Sequence, residues 1–145
     1  MQINGLPAHF LLVHFVVVIL PLTSLAAIIA SIWPAAQRKL TFLIPLGAVA
    51  GAILVPITVR AGNDFFQHLG SPAFVLNHQR LGNMVFNWAA ALAVTTVAQY
   101  VALRRTPAQW MKILLAVLVI VSAIGTTVIV VLTGDAGSRA VWGGR

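Results

Sequence analysis

The chain has 145 residues, 60% of them hydrophobic and 8% charged, with a mean hydropathy of +0.98. So few polar residues cannot cover a soluble core, and the composition predicts an all-α integral membrane protein. The net charge of +7 does not indicate nucleic acid, because the basic residues flank apolar runs, where they set orientation and meet anionic lipid.

In chain order, residues 1 to 9 contain no Lys or Arg. The first apolar run therefore lacks the basic start of a secretory signal and is expected to stay in the mature protein. Pro7 suits the first turn of a helix, and Phe10 to Trp33 is uncharged and long enough to span a bilayer. Pro21 is expected to bend this span. A basic hairpin, Pro34 to Lys39, leads to a second span over 40–60, closed by Arg60. Its Gly47 and Gly51 are spaced for close helix contact, read as packing within the bundle ahead of a homodimer seam, and Pro45 and Pro56 are placed to kink it near either end.

Residues 61–80 form the longest polar connection, in which Arg60, Asp64 and His68 would share one face if the helix continued. A third span over 81–103 carries Asn83, Asn87 and Gln99 and ends at Arg104-Arg105. After a basic turn, the β-branched fourth span covers 113–133, and Asp135 with Ser138 is read as a turn in a short tail. The sequence thus predicts a single domain over 1–145, a four-helix transmembrane bundle. Arg38, Lys39, Arg104, Arg105 and Lys112 fall on one side, with Arg60, Arg80, Arg139, Arg145 and both acids on the other. That bias, the uncharged N-terminus and the paired Arg104-Arg105 predict both termini outside.

All four histidines then belong to the outer side: His9 and His14 on the first helix, His68 after the second, His78 before the third. His14 lies roughly 10 Å along the helix from Pro7, so it is expected to point into the bundle and find a partner, while His9 stays at the water boundary. Five residues apart, the pair is separated by roughly 140° and cannot face one ligand. Haem b between helices would need two neutral imidazoles, or an imidazole and a thioether, approaching from opposite sides, an apolar slot, and cations for its propionates at the membrane surface. His14 with His78 or His68, Met84 as a fallback ligand, and Arg60 and Arg80 near the propionates meet that need. Copper or zinc on His14, His68 and His78 with Asp64 would use the same residues. A purely structural reading gives His14 a hydrogen bond to Asn83, Asn87 or a backbone carbonyl, with no cofactor. The absence of cysteine removes disulfides, thiolate metal sites, iron–sulfur clusters and c-type haem attachment. Spans free of deep charges, without an inverted repeat, argue against an ion-coupled transporter, and no phosphate loop or hydrolytic triad stands out.

Gly5-Leu6-Pro7-Ala8-His9-Phe10-Leu11-Leu12-Val13-His14-Phe15, Arg60-Ala61-Gly62, His78 with Leu81-Gly82, and Thr133-Gly134-Asp135-Ala136-Gly137 resemble the bacterial membrane-protein family called domain of unknown function 2231. The similarity covers nearly the whole chain. It implies four spans and, from the family's association with Rieske and c-type cytochrome domains, a respiratory or other redox setting. The chain departs from the family pattern at Phe10, where proline is usual, and at Asp135, where a histidine is frequent. The leading expectation is a small electron carrier binding haem b, with His14 and His78 as first-choice ligands. The rivals are a non-catalytic scaffold or accessory subunit of a larger complex and a copper or zinc site. Enzymatic activity is less expected than either electron transfer or an accessory role.

Overall fold

Long apolar runs satisfy their backbone groups internally by forming helices, and the architecture follows from them. The computed structural model describes residues 2–143. Its helices are α1 (Ala8–Ile32), α2 (Pro34–Leu40), α3 (Leu43–His68), α4 (Leu76–Leu103) and α5 (Gln109–Trp142), with a 3₁₀ turn over Ala73–Val75 before α4. All but α2 are long and apolar enough to cross a membrane. Met1 and Arg145, the latter counted above on the outer side, lie outside the described residues.

Two short strands, β1 (Gln2–Ile3) and β2 (Leu6–Pro7), pair antiparallel around Asn4-Gly5, whose φ values are 51° and 81°. A two-residue hairpin turn needs positive φ at both positions, which Asn-Gly supplies. The hairpin delivers the chain to α1 with Pro7 as its N-cap.

The helices exceed their expected bounds where polar residues find partners along the helix. The basic hairpin after the first span is α2, with Pro34 in its first turn. α3 continues past Arg60 to His68, and Pro45 lies in its first turn, where no backbone bond is lost and no kink arises; Pro56 is the proline inside it. α5 runs through Gly134 and Gly137, where a turn was expected. There the Arg139 Nε donates to Asp135 Oδ2 at 2.8 Å and the Ser138 hydroxyl donates to the Asp135 carbonyl at 2.9 Å, both compatible with a continuous helix.

α1 packs against α3 and α5, and α4 against the same two, while α1 and α4 have little direct contact. The bundle is therefore a square with α1 and α4 on one diagonal. Exchanging α1 with α4 and α3 with α5 maps every neighbour onto a neighbour. Its interior is lined by small and hydroxyl side chains, including Ala48, Ala89, Ala123, Ser24, Thr58, Thr96 and Thr126. The Thr58 and Thr96 hydroxyls donate to the carbonyls of Leu54 and Leu92, at 2.8 and 2.7 Å, one turn back. Gly47 packs against Thr23 and Gly51 against Leu20, so this glycine pair serves the bundle interior. The outer surface presents Phe15, Val18, Leu22, Leu25, Val121, Val128 and Val131. Apolar exposure on this scale is foreign to soluble monomers.

Candidate cofactor site

Because α1 and α4 start at the same end of the square, their first turns face each other across it. His9 and His78 sit in those turns, with ring centroids 6.1 Å apart and planes at 81°. Each imidazole is held by the same device. His9 Nδ1 is 3.1 Å from the Thr58 carbonyl oxygen on α3, and His78 Nδ1 is 2.9 Å from the Thr133 carbonyl oxygen on α5. A carbonyl only accepts, so Nδ1 donates its proton in both cases, and the neutral ring keeps its lone pair on Nε2.

One turn beyond each threonine is a glycine. A Cβ at Gly62 would stand 2.9 Å from Nδ1 and Cε1 of His9, and one at Gly137 would stand 3.0 Å from the same atoms of His78. Each ring lies directly against a helix backbone, a position only glycine leaves open. The two seats share a local sequence, Thr58-Val59-Arg60-Ala61-Gly62 and Thr133-Gly134-Asp135-Ala136-Gly137, a repeated Thr-x-x-Ala-Gly. The exchange that maps the helices onto one another also maps one seat onto the other. α1–α3 and α4–α5 are thus parallel versions of one hairpin design, which a search for inverted repeats does not reveal.

The other expected site residues are elsewhere. His14 is exposed, and its Nδ1 donates to the Phe10 carbonyl of its own helix. The member of the first pair that meets another helix is His9, half-buried, the reverse of the expectation from depth, and His14 is bonded to its own helix. Asn83 and Asn87 are exposed and do not bond to it. His68 Nδ1 likewise donates to the Asp64 carbonyl at 2.6 Å, with both residues exposed. Met84 is also exposed, on α4. Among the described residues no group of three or more His, Asp or Glu side chains is placed to hold a metal ion, so His14, His68, His78 and Asp64 are not brought together.

Arg60 and Arg80 are exposed, the first between Thr58 and Gly62 and the second two residues beyond His78. The Gln79 amide donates to Asn63 Oδ1 at 2.9 Å and ties α4 to α3 beside the histidines. Phe10 and Phe65, with ring centroids 5.5 Å apart in an edge contact, tie α1 to α3.

In its neutral form each imidazole, with Nδ1 protonated, would offer Nε2 to a metal, the carbonyl behind it fixing tautomer and orientation. The short separation of the rings, 6.1 Å between centroids, would let both serve one bound group. Two donors fall short of the three or four protein ligands expected of a zinc site, whereas haem needs only axial ligands from the protein. Comparison with family models, with curated proteins and with solved structures finds no match.

Proposed function

We propose that the chain is a multi-pass protein of the bacterial inner membrane, with both ends outside, that binds haem b through His9 and His78 and passes electrons to a redox or respiratory partner. The observation that carries this reading is the facing pair of imidazoles, each with its Nδ1 proton held by a backbone carbonyl. The apolar outer belt supports the membrane setting, and the family resemblance supports the redox one. Haem b held by two imidazoles supplies a one-electron couple. The chain's own part is to fix both rings before anything binds: Thr58 and Thr133 set the tautomers, and Gly62 and Gly137 let the rings lie back against the helices. Arg60 and Arg80, at the same end, are the cations available to carboxylates at the membrane surface.

The test is the absorbance of detergent-purified protein from haem-sufficient cells. A Soret band and a pyridine haemochrome are expected in the parent and in His14→Ala, and both signals are expected to vanish in His9→Ala and in His78→Ala. A colourless parent protein would refute haem binding. The two histidines would then be read as packing latches in an accessory subunit.

A further inference from the structure

The opposite end of the bundle holds a cavity of about 260 Å³ where α2 and the C-terminal end of α4 meet. Its polar lining includes Gln37, Thr96, Gln99 and Tyr100, with the exposed Arg38 and Arg104 at its rim, over a base that includes Ala30 and Ile44. Both guanidinium groups lack a carboxylate partner, since the salt bridge among the described residues joins Arg139 to Asp135 at the histidine end. The chain's two acids, Asp64 and Asp135, lie at that end, whereas Lys39, Arg105 and Lys112 add further positive charge around the cavity. Arg104 is held in place by stacking, its guanidinium carbon 4.6 Å from the centre of the Tyr100 ring. Buried Gln99 is anchored through its amide to the Ser31 hydroxyl at 3.4 Å.

We infer that this cavity binds a phosphate group between Arg38 and Arg104, and that the phosphate is the head of an anionic phospholipid. Guanidinium forks match phosphate oxygens in pairs, and two of them without a counter-ion favour a ligand with net negative charge over a zwitterionic one. Trp33, Phe42 and Trp110, exposed near the helix ends on the same side of the bundle, are aromatic residues of the kind that gather at headgroup depth. A basic pocket between helix ends at that depth fits an anionic headgroup whose acyl chains continue along the apolar outer surface. The inference rests on the membrane setting and is independent of haem.

The test uses the full chain in detergent, with phosphatidylglycerol, phosphatidylcholine and inorganic phosphate as separate probes. Lipid retention is read by native mass spectrometry and protection by the thermal midpoint. Phosphatidylglycerol is expected to be retained about tenfold more strongly than phosphatidylcholine, with retention lost in Arg38→Gln/Arg104→Gln and kept in Arg139→Gln. Arg38→Lys/Arg104→Lys, which keeps the charge but removes the forks, is expected to retain an intermediate amount and serves if the neutral variant does not fold. Undiminished phosphatidylglycerol retention in the neutral or the lysine double variant would overturn the site. Protection by inorganic phosphate with no lipid preference would overturn the lipid assignment. Equal retention of the two lipids, without protection by phosphate, would overturn anion recognition altogether.

Discussion

His9→Leu and His78→Leu are each expected to abolish haem binding, and the double variant is expected to be no worse than either single one. Each substitution removes one hydrogen bond to a backbone carbonyl, worth about 1 kcal/mol. The two rings are also in edge contact, so a small coupling between the substitutions is expected even in protein prepared without haem, where the thermal midpoint should drop at each step. In the loaded protein either substitution removes the same occupant, and the second has nothing further to remove. Strong non-additivity confined to the loaded form is the signature of a shared ligand. The same small coupling in both preparations would mean that the histidines act only as latches.

The second large effect is expected far from the histidines. Gly125→Val should destabilise the bundle by about 3 kcal/mol, because a Cβ at Gly125 would overlap the Trp88 ring, which lies against the backbone of α5. Next to it the Thr126 hydroxyl lies 2.7 Å from the Ser122 carbonyl of its own helix and 3.0 Å from the Trp88 carbonyl of α4, so the two helices are in close contact there. Helix propensity alone predicts the opposite sign for Gly125→Ala, a gain of about 1 kcal/mol, so a lowered midpoint even in the alanine variant would show that the ring contact dominates. Trp88→Leu should rescue much of the Gly125→Val loss. A valine variant as stable as the parent would show that the ring can turn aside freely.

The helical architecture was legible because uncharged runs of span length have few other ways to satisfy their backbones. The helix ends were not, since Asp135, Ser138 and Arg139 read as a turn by composition yet pair along a helix. The sequence placed the histidines at one end of the bundle, but which member of the N-terminal pair meets another helix was inverted. Depth suggested that His14 needed a partner across the bundle. In the fold its Nδ1 uses the Phe10 carbonyl of its own helix, so an exposed position leaves that atom satisfied. The decisive signal was Thr-x-x-Ala-Gly at 58–62 and 133–137, whose meaning depends on α1 and α4 standing diagonally opposed. No local pattern reports that arrangement.

The duplicated seat also limits what the histidine end of the bundle can do. An occupant centred between His9 and His78 meets the same imidazole, the same threonine carbonyl behind it and the same glycine beside it from either direction. Such a place has no front and no back. If the proposed haem were held there, like surroundings on its two sides would suit the gain and loss of an electron.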